Sequence, residues 1–219
     1  MMKIVLIFGM IILVIFLMYK GTKYVSRLTR PWFWSILVAI LVIYSIMLWL
    51  KISPWLISDT IVMIIALLVG YAFSLTVQSF SALIGFCIAA GIADFISFTF
   101  SSGLTSKIIN DYEQGHNLLL QYLSITIPLS SRMVPIVGIG DLIIIGSIYV
   151  SLNKLGYNDW FSFLSPLVGL LMALCIGLLV NGIFALPFIC GATIIYLLLK
   201  SKTHLSKQIK SKDSNERDI

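Results

Sequence analysis

Long uninterrupted apolar runs constrain this 219-residue chain more than any other feature. A helix needs roughly 20 such residues to cross the hydrocarbon core of a bilayer. Runs of about that length lie near residues 3–19, 33–53, 56–76, 79–101, 133–152, 160–181 and 182–200, which predicts an all-α, polytopic transmembrane helix bundle of about seven spans. With 59% of its residues hydrophobic and 11% charged, the chain has too little polar surface to solvate a globule, and no separate soluble domain is expected. Lys3 precedes the first run as it would in a secretory signal. No small-x-small cleavage site follows Met18, however, and the run is long for a signal core, so a retained helix is expected.

Basic residues fall into two groups. Lys20, Lys23, Arg27 and Arg30 sit in the expected first loop, and Lys200, Lys202, Lys207, Lys210, Lys212 and Arg217 in the tail. Short loops rich in lysine and arginine stay cytoplasmic. An odd number of spans lets both groups do so, which predicts a cell-membrane protein with its N-terminus outside, its C-terminus cytoplasmic and Arg132 on the outer side. The net charge of +6 is then topological. Charges that flank helices rather than cover a folded surface argue against a nucleic-acid partner. The tail after Lys200 is short and polar, is expected to be disordered, and can meet anionic lipid headgroups.

Cys87, Cys175 and Cys190 lie within apolar runs and read as small core residues, with no spacing that would ligate a metal. His116 and His204 are isolated outside the runs, and no phosphate-binding loop is present. Neither a metal nor a cofactor is expected.

The acids carry the functional information. Asp111, Glu113, Asp159, Asp213, Glu216 and Asp218 fall in loops or the tail, and Asp59 sits at a helix start, where it can cap the helix or face water. That leaves Asp94 and Asp141 inside apolar runs, where a central aspartate costs about 2.5–3.5 kcal/mol even on a lenient insertion scale. A purely structural protonated acid is the competing reading for either one alone. If the helices end near Ser102 and begin near Met133, each acid lies eight residues from the same interface, about 12 Å down. The two could therefore meet. Gly138 and Gly140 lead into Asp141, although each costs a helix roughly 1 kcal/mol relative to alanine. Small residues there let a neighbouring helix or an extended peptide approach the carboxylate, and they are also common in ordinary membrane-helix packing.

The run Gly138-Ile139-Gly140-Asp141, followed by Leu142-Ile143-Ile144-Ile145-Gly146, resembles the GxGD helix of the presenilin and signal peptide peptidase family of intramembrane aspartyl proteases. Asp94, in Ala93-Asp94-Phe95-Ile96-Ser97, is similar to the family's first catalytic aspartate, and Phe184-Ala185-Leu186-Pro187 to its Pro-Ala-Leu segment. The resemblance covers residues 79–200 and implies a presenilin-like catalytic core there, with N-terminal helices over 1–78 and a basic tail over 201–219. It implies Asp94 and Asp141 as a catalytic dyad and Gly138, Gly140, Ala185, Leu186 and Pro187 as substrate-positioning residues. The implied substrates are transmembrane peptides or proteins, including remnant signal peptides, met within the lipid bilayer. The chain differs from the family in having Ala93 where tyrosine is usual, Phe184 where proline is usual, and about seven spans rather than nine.

Two other classes remain open. A prepilin-peptidase-like enzyme also uses a GxGD aspartate, but it would carry its partner acid in a cytoplasmic-side motif and a lysine soon after the second aspartate. A proton-coupled transporter could hold two acids at one depth, with the glycines marking a broken helix.

Overall fold

A computed structural model describes residues 2–25, 27, 30–50, 55–100, 122–129, 132–157, 160–180 and 185–215. These residues form seven helices and one antiparallel hairpin. In chain order they are α1 (Met2–Val25), α2 (Arg30–Trp49), α3 (Trp55–Ser74), α4 (Phe80–Thr99), β1 (Ser124–Leu129), β2 (Arg132–Gly138), α5 (Ile139–Lys154), α6 (Trp160–Val180) and α7 (Leu186–Asn215). Five segments are long and apolar enough to cross a membrane: Ile7–Val25, Pro31–Trp49, Leu56–Ser74, Phe80–Thr99 and Trp160–Gly177. The architecture is thus a helical membrane bundle, amended by a hairpin that a purely α reading lacks.

Three expectations are corrected. The run over 133–152 is not one helix: Arg132–Gly138 pairs as a strand with Ser124–Leu129, and the helix begins only at Ile139. Pro135 has no amide for a helix ladder, and Ile125, Thr126, Ile127, Val134, Ile136 and Val137 are β-branched, so the segment favours extended backbone. At the other end of the chain, the polar tail is not disordered through 215 but continues α7 to Asn215. A helix already nucleated by its apolar turns adds lysine and glutamine at little cost. Helix α1 likewise runs on to Val25, so Lys20 and Lys23 lie on its last turns rather than in a loop. Their ammonium groups sit 5.4 Å and 5.2 Å from the ring centres of Phe16 and Tyr19. The loop acids Asp111, Glu113 and Asp159, together with His116, Phe184, Glu216, Arg217 and Asp218, lie outside the described residues.

Between apolar helices in lipid, packing and hydrogen bonds must supply the association. Helices α3 and α5 approach each other closely. A Cβ added at Gly70 would stand 2.8 Å from the Ile143 carbonyl oxygen and 3.0 Å from the Ser147 amide nitrogen, so only glycine fits there. Ser147 Oγ uses that proximity to donate to the Gly70 carbonyl at 3.0 Å. At the far end, Lys154 Nζ donates to the Ser74 carbonyl at 3.1 Å and to Ser74 Oγ at 3.2 Å, placing a cation on the negative end of α3. The two helices therefore run in the same direction. Helix α1 completes this core, with Ile11, Ile15 and Met18 buried beside Val62, Ala66, Leu142 and Ile145. Helix α2 rests on the outside of α3 through Phe33, Leu37 and Leu68.

Helix α7 packs between α4 and α6. A Cβ at Gly169 of α6 would come within 2.5 Å of Ile189 Cα, so these two backbones also touch. Seven residues further along α7, the Tyr196 hydroxyl lies 3.1 Å from Ser162 Oγ, at the start of α6. The alternation of directions brings the hairpin, the start of α5, the start of α7 and the end of α4 to one end of the bundle. Lys20, Lys23 and Lys154 gather at the opposite end.

Candidate functional site

Helix α4 presents Cys87, Gly91 and Asp94 on one face, since residues three and four apart align. The start of α7 lies against that face. A Cβ at Gly91 would stand 3.5 Å from Pro187 Cα and 3.9 Å from Cys190 Cβ, and the Cys87 and Cys190 thiols are in hydrogen-bond contact. Above them, the half-buried Asp94 accepts a hydrogen bond from the Leu186 amide to Oδ2 at 3.2 Å. The chain folds this way because a helix start leaves amides without partners. Asp94 satisfies that of Leu186, Pro187 has none to satisfy, and the Ala185 carbonyl accepts from the Phe188 and Ile189 amides at 3.1 Å each. Ala185, Leu186 and Pro187 thus form the entry to α7 directly beside Asp94.

Asp141 is the third residue of α5, and Gly138 is that helix's N-cap, in extended backbone at φ −71° and ψ 152°. The Gly138 amide lies near the Asp141 carboxylate, the position from which an N-cap amide can meet an acid three residues on. A Cβ at Gly138 would be 3.5 Å from Asp141 Oδ2, whereas one at Gly140 would meet no atom within 4 Å. At Gly138 the neighbour is thus the acid's own side chain at ordinary contact distance rather than another helix, and Gly140 is exposed and leaves its side of the helix open.

Asp94 and Asp141 are within electrostatic reach of each other. Their depth differs from the sequence expectation, because α4 ends at Thr99 and α5 begins at Ile139. Asp94 is then about 7.5 Å from the end of its helix and Asp141 about 3 Å from the start of its own, at 1.5 Å per residue. Two helix N-termini, those of α5 and α7, each direct an amide at one of the two acids. Their partial positive charges favour a negative charge on the pair. Such an arrangement can hold one proton between two carboxyls, leaving one group able to accept a proton and the other able to donate. Among the described residues, no cluster of histidine, cysteine or acidic side chains could hold a metal ion.

Asp59 and Tyr44 were not singled out from the sequence as site residues. Asp59 does not face water. It is 9% exposed and accepts from the Thr126 amide at 3.1 Å and from Thr126 Oγ1 at 3.2 Å. The Tyr44 hydroxyl donates to the Tyr122 carbonyl and lies 3.4 Å from Ser58 Oγ. An aspartate five residues into an apolar helix looks like a cap, and only the folded hairpin supplies its partner.

No protein-family model matches the chain, no curated protein matches its sequence, and no solved structure matches its fold.

Proposed function

We propose that this chain is an intramembrane aspartyl protease of the presenilin and signal peptide peptidase type, with Asp94 and Asp141 as its acid–base pair. One observation carries the reading: Asp94, which accepts from the Leu186 amide in the Ala185-Leu186-Pro187 segment, lies within electrostatic reach of Asp141 at the start of α5, although the three are far apart in sequence. In this reading the ionised acid takes a proton from water as the water oxygen attacks the scissile carbonyl carbon. Its protonated partner donates to the carbonyl oxygen, giving a tetrahedral intermediate. Collapse breaks the C–N bond, and the proton taken from water passes to the leaving nitrogen. No covalent enzyme intermediate is needed.

A transmembrane helix hides its amides in its own hydrogen bonds, so it must unwind before cleavage. The hairpin supports that step. Thr126 on β1 has its amide engaged by Asp59, so β2, which leads straight into Gly138 and Asp141, offers the edge for pairing with an extended peptide.

The test is cleavage of a panel of single-span membrane peptides by the purified protein in liposomes, with and without a transition-state-analogue inhibitor of aspartyl proteases. Asp94→Ala and Asp141→Ala should each lower the rate at least 100-fold, as expected on removing a positioned acid or base whose contribution is roughly 10²–10⁴-fold. The double variant should be no worse than either single one. Near-normal cleavage by a single variant would overturn the mechanism, and proton-coupled solute uptake without cleavage would favour a carrier.

A further inference from the structure

Asp59 is a buried acid that the proposed reaction does not use directly. Measured from the contact between Gly70 and Gly146, it lies about 16 Å along α3, against roughly 8 Å along α5 for Asp141. It is therefore about one strand segment beyond the acid pair rather than a third member of it. What it holds is β1. Asp59 grips Thr126 through amide and hydroxyl, and Tyr44 grips the Tyr122 carbonyl, so α3 and α2 fix β1 on both sides of Leu123, Ser124 and Ile125.

That short stretch in turn holds the start of α5. The Ile139 amide donates to the Leu123 carbonyl at 2.8 Å, and Ser124 is paired with Gly138, whose amide meets Asp141. A contiguous chain of contacts runs from Asp59 through Thr126 and the beginning of β1 to Gly138, Ile139 and Asp141. The β1–β2 ladder is irregular between Ile125 and Thr126, and Pro135, opposite Thr126, has no amide to donate. Strand pairing alone is therefore weakest where Asp59 takes hold.

We propose that Asp59 is a positioning residue for Asp141: by accepting from Thr126, it holds β1 where Leu123 and Ser124 fix the acid-bearing end of α5. This rests on the protease reading for its catalytic consequence, because a misplacement of about 1 Å can cost on the order of 100-fold in rate. The carboxylate is needed here for its oxygens rather than for its charge, so an amide in its place still accepts from the Thr126 amide.

The experiment compares wild-type protein with Asp59→Ala, Asp59→Asn and Thr126→Val in liposomes. Active sites are titrated with the aspartyl inhibitor so that rates refer to folded enzyme. Asp59→Ala should lower kcat 10- to 100-fold with KM changed less than threefold, and Asp59→Asn should stay within threefold of wild type. Thr126→Val, which removes only the hydroxyl, should fall between them. Hydrogen exchange of the segments 122–127 and 138–141 should quicken in Asp59→Ala and not in Asp59→Asn. Wild-type kcat in folded Asp59→Ala, or Asn no better than Ala, would overturn the proposal. If the wild type cleaves nothing, the protease reading fails, and the exchange data then judge the clamp: equal exchange at 138–141 in all variants would sink it.

Discussion

In the proposed reading Asp141 has two roles that chemistry can separate. As the third residue of α5 it lies near the Gly138 amide, in the first turn where an acid favours the helix start. As one of two neighbouring acids it would exchange a proton. An asparagine keeps the accepting oxygen and loses the proton, whereas alanine loses both. Asp141→Ala should therefore destabilise the folded protein by roughly 0.3–1 kcal/mol, the range for an acid in the first turn of a helix, while Asp141→Asn should cost less. Both should be inactive. Thermal unfolding in detergent beside the cleavage assay would test this, and an active Asn variant would leave Asp141 with the structural role alone. Asp94 has the same duality toward Leu186, which is why the pair carries more weight than either acid.

Among the elements, the contact between α4 and α7 is the one on which the site depends. It is formed by Cys87, Gly91 and Asp94 facing Leu186, Pro187 and Cys190, and its geometry already contains a probe. Mild oxidation should join Cys87 to Cys190 within one chain, each thiol giving up a proton and an electron to the oxidant. Cys175, exposed on α6, should stay out of that bond. Peptide mass spectrometry would show a single intramolecular disulfide linking the two fragments. A bond involving Cys175 instead would mean that α7 presents a different face to α4. The hairpin is the other decisive element. Its signals in the sequence were the β-branched density on both sides of residues 130–131 and Pro135 inside an otherwise helical run. Apolar run length masks them, because it cannot distinguish a short helix preceded by a strand from one long span.

Across the whole molecule, the alternating helix directions place the two acids and the hairpin at one end and Lys20, Lys23 and Lys154 at the other. The positive-inside rule predicts that the lysine end faces the cytoplasm, which would place the acids toward the outer side. Reporter fusions near Thr22 and Ser211 should read as cytoplasmic and one near Glu113 as external. A tail found outside would place the acids toward the cytoplasm instead.

Much of this was legible in the chain itself. Hydrophobic run length is a one-dimensional property, so it was enough to predict a helical membrane bundle. The rarity of acids within those runs likewise drew attention to Asp94 and Asp141, since an uncompensated charge in lipid is costly wherever the helices pack. The grouping of lysines needed no fold either. Tertiary structure decided the rest, because it depends on partners distant in sequence. Asp59 reads as a cap until Thr126 is brought to it from 67 residues away. Pro187 reads as an ordinary helix start until Gly91 lies beneath it. Asp141 reads as mid-helix until the pairing of β1 with β2 makes Ile139 the first helical residue. Burial costs belong to single residues and can be read one at a time, but a hydrogen bond or a close backbone contact requires two segments and exists only when the fold joins them.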